Sequence, residues 1–539
     1  MSLPIEDVFE QLQVELSTNS RVILQAPPGA GKSTRLPILL LQSHRYSVKN
    51  QIVILEPRRV AARQIARYLA NQLGEKVGQS IGLTMRGENK VSKQTIVNIV
   101  TDGVMVRQIQ QDPELENVGL VIFDEFHERA LQTDLALALV LDAQELNEQL
   151  NVLIMSATLD LSKLSTALDA PIVESQGRQY PVDIQYVSSK LIPTDDDILS
   201  AILLAVHEQQ SSILVFLSGI GEIKRIQQRL QDRVPDNIII CPLYGSLSIE
   251  QQTQAIEPCQ GEQRKIVLST NVAQTSLTID GVDVVVDSGV ERIVQYKAKL
   301  GIEQLITQPI SIAAATQRAG RAGRLRAGIC YRLGAKEQFE RRRNFDVAEI
   351  ERGDIAQVLL EVQLWGAQFD DLFWLSKPEA SKLNQAQQTL LDLGYLEPTK
   401  TGNKLSSLAN EYQNMPVDLR FSKMLYFAKE LGASLHQSTN DQTANNQTES
   451  PQTIIHSDLL ATACVLTTYL QHNTYSEQAN LVTQLEYLSS KEWFSLLSPL
   501  TSLSKKLGLD RIERSDINVD LLAILLAWAF PDRIATKTG

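Results

Sequence analysis

The chain has 539 residues, enough for three or four domains, and its 43% hydrophobic and 21% charged content excludes wholesale disorder. A net charge of −12 excludes a global basic field drawing the chain onto nucleic acid, so any such binding must come from local Arg and Lys in a groove. Cys241, Cys259, Cys330 and Cys464 lie far apart without metal-ligand spacing and read as free thiols. The opening Met1-Ser2-Leu3-Pro4 lacks the basic start of a signal peptide, and the apolar run 521–530 is too short to span a bilayer. A cytoplasmic protein without a membrane partner is expected.

From residue 21 to about 158, short β-branched runs alternate with helical stretches, with strands expected at 21–26, 51–56, 95–100, 120–124 and 152–156. A second series follows at 213–217, 238–242, 266–269, 282–287 and 329–332. Near-continuous apolar character suits parallel strands covered on both faces. The expected class is therefore α/β, with two tandem doubly wound domains at 1–176 and 177–348 and ligands at the carboxyl ends of their strands. Residues 291–306 read as a hairpin turning at 297–301. After about residue 348 the pattern is helical. A helix over 385–396 running into a turn at 398–402 suits a winged helix, expected over 349–418, and 419–539 reads as a helical domain. Within it, 436–453 is rich in Gln, Asn, Ser and Thr and is expected to be a disordered surface insertion.

Three segments carry chemistry. In Ala26-Pro27-Pro28-Gly29-Ala30-Gly31-Lys32-Ser33-Thr34, the glycines allow backbone N–H groups to converge on phosphate oxygens, and the next helix points its positive end at them. Lys32 would reach the β- and γ-phosphates and Ser33 would offer its hydroxyl to Mg²⁺; Ala26 replaces the usual first glycine of such a loop. Next, Leu120-Val121-Ile122-Phe123 delivers Asp124 and Glu125 to a strand end, Asp124 to hold the metal and Glu125 to take a proton from the attacking water. His127, just beyond, suits coupling of hydrolysis to movement. Finally, Gln317-Arg318-Ala319-Gly320-Arg321-Ala322-Gly323-Arg324 spaces three arginines by three, one face of a helix. Arg321 and Arg324 would reach the γ-phosphate from the second domain while Gln317 positions the water. These residues describe a Mg²⁺-dependent nucleoside triphosphatase.

This ordered set resembles the DEAH-box helicases of superfamily 2, with Phe126 in place of the usual alanine, and within them the bacterial HrpB-type ATP-dependent helicases. Pro57-Arg58-Arg59 and Thr101-Asp102-Gly103 resemble nucleic-acid-contacting motifs of the first domain, and Ser156-Ala157-Thr158 the motif that links hydrolysis to strand binding. Phe216–Gly219, Tyr244–Ser246 and the run 269–281 resemble their counterparts in the second. The resemblance implies two RecA-like P-loop domains, then winged-helix and helical ratchet-like domains forming a channel for single-stranded nucleic acid, with 291–306 as a strand-separating wedge. It also implies nucleotide contacts by Pro28, Gly29, Ala30, Gly31, Lys32, Ser33, Thr34 and Asp280, coupling through His127, Ser156, Thr158 and Ser276, and nucleic-acid contacts by Arg58, Arg59, Thr101, Asp102, Thr270 and Asn271. Tyr68 and Ile256 align near the family's base-sandwiching positions; Tyr68 is either a stacking platform or a half-buried helix residue, and loose nucleotide specificity follows. Family members continue into an OB-like domain about where this chain ends. The implied activity is an ATP- or NTP-dependent RNA helicase acting as a monomer. A nucleotide-gated RNA-binding scaffold and a DNA translocase remain as alternatives.

Overall fold

The computed structural model describes residues 3–27, 29–157, 161–177, 180–259, 261, 263–274, 279, 281–297, 302–324, 326–400, 402–412, 415, 417–440, 451–472 and 480–534. They form two compact units, residues 1–354 with 372–378, and residues 355–371 with 379–539. Residues 349–354, expected to open the winged helix, therefore group with the preceding domains.

In the first unit, β1 (Arg21–Gln25), β2 (Gln51–Leu55), β3 (Ile81–Met85), β4 (Glu88–Lys90), β5 (Val97–Val100), β6 (Val118–Phe123), β7 (Asn151–Ser156) and β8 (Ile172–Glu174) form one sheet. Its order is β4-β3-β5-β2-β6-β7-β1-β8, parallel except for the β3–β4 pair. Helices cover it: Leu12 and Leu16 of Phe9–Thr18 join one core, and Leu131–Ala143 is buried almost all round. The sheet order brings the carboxyl ends of β6, β7 and β1 side by side, the position where parallel α/β sheets bind ligands.

The second sheet contains β9 (Val182–Ser188), β10 (Ser212–Phe216), β11 (Ile238–Leu243), β12 (Arg264–Ser269) and β13 (Val282–Asp287), with a hairpin of β14 (Val290–Lys297) and β15 (Ile302–Pro309) before its last strand, β16 (Gly328–Leu333). Its order, β11-β12-β10-β13-β16-β9, is parallel throughout. The hairpin is antiparallel from Val290↔Pro309 to Lys297↔Ile302, and the turn expected at 297–301 falls mostly outside the described residues. Val60 and Ala61 of the first lobe join the core under the second sheet, alongside Ala319 and Ala322, so apolar packing connects the two lobes. Tandem parallel-sheet RecA-like lobes are thus present.

The second unit is mainly helical. Helix Ala380–Leu393 ends at Gly394, in the left-handed conformation that favours glycine, and leads into an antiparallel hairpin of β17 (Leu396–Thr399) and β18 (Gly402–Leu405). Leu419–Asn440, Pro451–His472, Ser490–Lys506 and Leu522–Ala529 supply a core that includes Met424, Cys464 and Leu525. Of the disordered insertion expected at 436–453, the two ends belong to helices Leu419–Asn440 and Pro451–His472, and 441–450 lie outside the described residues. Once a helix is nucleated by packing, each added residue costs little, even for modest helix formers.

Candidate nucleotide site between the two lobes

The loop after β1 turns on Gly29 and Gly31, at φ +86° and +97°. A Cβ on Gly31 would meet Ile5 Cγ2 and Leu3 Cδ1 at 3.0 Å, so this position needs glycine for both conformation and space. Ala26, in contrast, is fully buried and not in the left-handed region, so no glycine is required there. The helix after the loop begins only at Leu36, after a turn over Lys32–Arg35, rather than directly behind Gly31. Pro37 sets that start, since it has no N–H to give and suits the first helical turn. Pro28 lies outside the described residues.

Lys32 Nζ, only 5% exposed, donates to Glu125 Oε2 at 2.9 Å and stands 3.7 Å from Asp124 Oδ1. Ser33 Oγ donates to Asp124 Oδ2. Glu125 is held at φ +50°, the left-handed conformation, directly after β6, and its N–H donates to Asp124 Oδ1 at 2.8 Å. Glu56, at the end of β2 next to β6, adds a third buried carboxyl. Burial pushes the carboxyls of Glu56 and Asp124 up, and for Glu56 the neighbouring acids add to that. Burial would do the same to Glu125, yet the cations around it, Lys32 foremost, together outweigh it and hold that carboxyl down. Burial lowers Lys32, but Glu125 and Asp124 more than restore it. A pocket of acids crowded around a lysine and a serine hydroxyl suits a divalent cation bearing phosphate. Among the described residues no group of three or more His, Cys, Asp or Glu could hold a metal, so Mg²⁺ on Ser33 and Asp124 would take its other ligands from triphosphate and water.

The second lobe brings cations to the same place. Arg321 and Arg324 are depressed by burial, Arg324 to about 10, while the charge of Glu125 supports both. Arg321 Nε donates to the Gln274 carbonyl at 2.9 Å. The three arginines do not share a helix face. Helix Ile312–Gly320 ends before Arg321, and Gly323 packs where a Cβ would meet Tyr180 O at 2.5 Å, so glycine breaks the expected helix for close backbone contact. Arg318 instead points into its own lobe and pairs with Asp287 at 2.8 Å, both fully buried.

The lobes meet at His127. Its Nε2 lies 2.8 Å from Gln317 Nε2 and 3.5 Å from Glu125 Oε2, and burial lowers its pKa. Gln317 also accepts from Gln274 Nε2 at 3.2 Å. Arg58 bridges the lobes too, pairing with Glu128 at 3.0 Å and donating to the Asn271 carbonyl. Both polar ends of the Asn271 side chain are engaged, by Arg318 at 2.6 Å and Glu291 at 3.2 Å. Beside this junction lies a cavity of about 510 Å³ lined in part by Arg58, His127, Asn271 and Gln317. Arg59 is exposed and donates to Arg86 O at 2.8 Å; Thr101 is buried and Thr270 half-buried. Asp102 is half-buried at a helix start, where burial pushes its carboxyl up to about 6. Ser156 Oγ, at the end of β7 between β6 and β1, is buried without a hydrogen-bond partner among the described residues. Thr158, Ser276 and Asp280 lie outside the described residues. Tyr68 is 45% exposed on helix Arg59–Gln72, and Ile256 packs against the second lobe's core.

No role was expected for Glu56, for Asp287, or for Gln274 within the motif run 269–281. Glu56 was visible as an acid ending an apolar strand, whereas Gln274 and Asp287 carry no spacing signal and matter only through their partners.

Among known proteins, the DEAD/DEAH box helicase family matches residues 7–167 and the helicase conserved C-terminal domain matches residues 195–326. The chain is 40% identical over 542 residues to the ATP-dependent RNA helicase HrpB of Escherichia coli (strain K12), covering 100% of this chain and 62% of that protein. It is 32% identical over 561 residues to the ATP-dependent RNA helicase HrpA of the same organism, covering 98% of this chain and 43% of that one. The crystal structure of Escherichia coli DEAH/RHA helicase HrpB matches with TM-score 0.86 and 39% identity, over 100% of this chain and 64% of that one. The chain thus spans less than two thirds of the length of these relatives. With its motifs in the family's order and its whole length matched, the chain belongs to the DEAD/DEAH box helicases, within which it is of the HrpB type.

Proposed function

We propose that this chain is an ATP- or NTP-dependent RNA helicase that couples Mg²⁺-triphosphate hydrolysis to movement along a single strand. One observation carries the reading: Gln317 of the second lobe stands 2.8 Å from His127 Nε2, itself 3.5 Å from Glu125, which Lys32 of the first lobe meets at 2.9 Å. In it, Gly29, Ala30, Gly31, Lys32, Ser33 and Thr34, with Pro28 and Asp280, hold the triphosphate. Ser33 and Asp124 hold Mg²⁺, which when bound neutralises phosphate charge and orients the leaving group. Lys32 exchanges Glu125 for phosphate, which frees that carboxylate to accept a proton from the attacking water. Gln317 orients the water, and Arg321 and Arg324 stabilise the charge that develops on the transferred phosphoryl group.

His127, Ser156, Thr158 and Ser276 report the phosphate state to the strand-binding face. There Arg58, Arg59, Thr101, Asp102, Thr270 and Asn271 grip sugar and phosphate, which gives affinity without reading sequence. Movement follows if the strand is held differently when the lobes are closed on triphosphate and after its hydrolysis. The proposed motor works as a monomer in the cytoplasm; among the described residues no helix is long and apolar enough to cross a membrane. The test is an unwinding assay on matched RNA and DNA duplexes with single-stranded tails. ATP-dependent separation of the RNA duplex is expected; separation of DNA alone, or of neither while ATP is hydrolysed, refutes an RNA helicase.

A further inference from the structure

A chain of buried side chains leads from Arg318 to His127. Arg318 Nε faces Gln274 Oε1 at 3.2 Å, Gln274 Nε2 faces Gln317 Oε1 at 3.2 Å, and Gln317 Nε2 faces His127 Nε2 at 2.8 Å. The direction of each bond follows from the first. A guanidinium can only donate, so the Gln274 atom it meets is the oxygen, and the amide nitrogen at the other end must donate onward. Gln317 then accepts with its oxygen and presents its own N–H₂ to the imidazole. His127 Nε2 must accept, and the neutral ring carries its proton on Nδ1. Nδ1 has no partner among the described residues, so it favours neither form and the decision falls on Nε2.

We propose that Gln274 is a positioning residue that passes the donor direction of Arg318 through Gln317 and so holds His127 in the Nδ1–H form. The consequence rests on the hydrolytic reading of Glu125. His127 Nε2 is 3.5 Å from Glu125 Oε2. A proton on Nε2 could be offered to that carboxylate and would make it a poorer base. With Nε2 occupied by the Gln317 donor, Glu125 keeps its acceptor capacity for water.

A carboxylate at position 274 reverses the chain. In Gln274→Glu both oxygens accept, Gln317 must turn its N–H₂ toward residue 274, and its oxygen then faces His127, which must donate from Nε2. The chain has six histidines, so ¹⁵N-histidine spectra of the 539-residue chain without nucleotide can be read for position 127, with His127→Gln used to assign it. The wild type should show a protonated Nδ1 and a bare Nε2, and Gln274→Glu should show the opposite. A wild-type proton on Nε2, or no reversal in Gln274→Glu, overturns the proposal. If Gln274→Glu fails to fold, Gln274→Met serves, since cutting the chain should yield mixed tautomers, and an unchanged single tautomer refutes it. In the hydrolysis assay, Gln274→Glu should lower kcat by up to about tenfold, the worth of one hydrogen bond, with KM for nucleotide unchanged. Unchanged kcat beside a reversed tautomer overturns the link to Glu125. A wild type without NTPase activity would instead sink the hydrolytic reading and leave the tautomer result standing.

Discussion

Arg318 offers a quantitative test of what stiffens the second lobe. It is 0% exposed, as is Asp287. It donates to Asp287 Oδ1 at 2.8 Å, Asn271 Oδ1 at 2.6 Å, Val290 O at 3.2 Å and Gln274 Oε1 at 3.2 Å. In Arg318→Met the apolar volume is roughly kept, but Asp287 is left with the Gly289 N–H at 3.0 Å and Arg332 at 4.0 Å. Stranding one member of a buried pair costs about 3–5 kcal/mol, and the two remaining contacts place this case near the lower end, about 3 kcal/mol. With an m of about 3 kcal/mol/M, the urea midpoint of the lobe's transition falls by about 1 M, read by circular dichroism. Adding Asp287→Asn removes the stranded charge, so the double variant should recover much of the loss, and the cycle should be far from additive. An unchanged midpoint in Arg318→Met, or purely additive effects, would refute the assignment of a buried ion pair at the centre of this lobe.

Glu125→Gln should lower phosphate release by about 10²–10⁴-fold while fluorescent-nucleotide titration shows binding retained; undiminished turnover removes Glu125 from the base role. Burial raises Asp102 to about 6 in the folded chain, above its unfolded value, so its contribution to stability is fully present below the unfolded value and is lost as pH rises through about 6. Asp102→Asn should therefore melt higher than the wild type at pH 8, by on the order of 2 kcal/mol, and show no advantage at pH 4. Gly31→Ala, forced into φ +97° with Ile5 and Leu3 at 3.0 Å, should cost about 1–2 kcal/mol in thermal melts and weaken nucleotide binding.

The strands that carry the site were legible because burial on both faces gives them unbroken apolar runs, as in residues 120–123 within β6 and 284–286 within β13. Three of the four edge strands lack that signature, Ile238–Leu243 being the exception. Glu88–Lys90 is wholly polar, Val182–Ser188 alternates, and Ile172–Glu174 is too short for periodicity to register. Phosphate-loop chemistry was legible because glycines, lysine and serine sit within nine residues. The arginine segment misled: spacing by three suggests a helix face, but Gly320 and Gly323 end the helix, leaving Arg318 for the core and Arg321 and Arg324 for the cleft. Gln274 was unreadable, since an amide's role depends on which donors tertiary packing brings to it. Composition at 436–453 gave no sign that the flanking helices extend to Asn440 and from Pro451, because it cannot reveal how far a helix propagates.

The proposed motor requires arginines of the second lobe to act on a triphosphate held by the first. The most direct measurement of that requirement is the rate of phosphate release from Mg²⁺-ATP by wild type and Arg321→Ala, each with and without single-stranded RNA. RNA-stimulated hydrolysis is expected in the wild type, with a loss of about 10³-fold in Arg321→Ala while nucleotide is still bound. Hydrolysis by Arg321→Ala at the wild-type rate would contradict it.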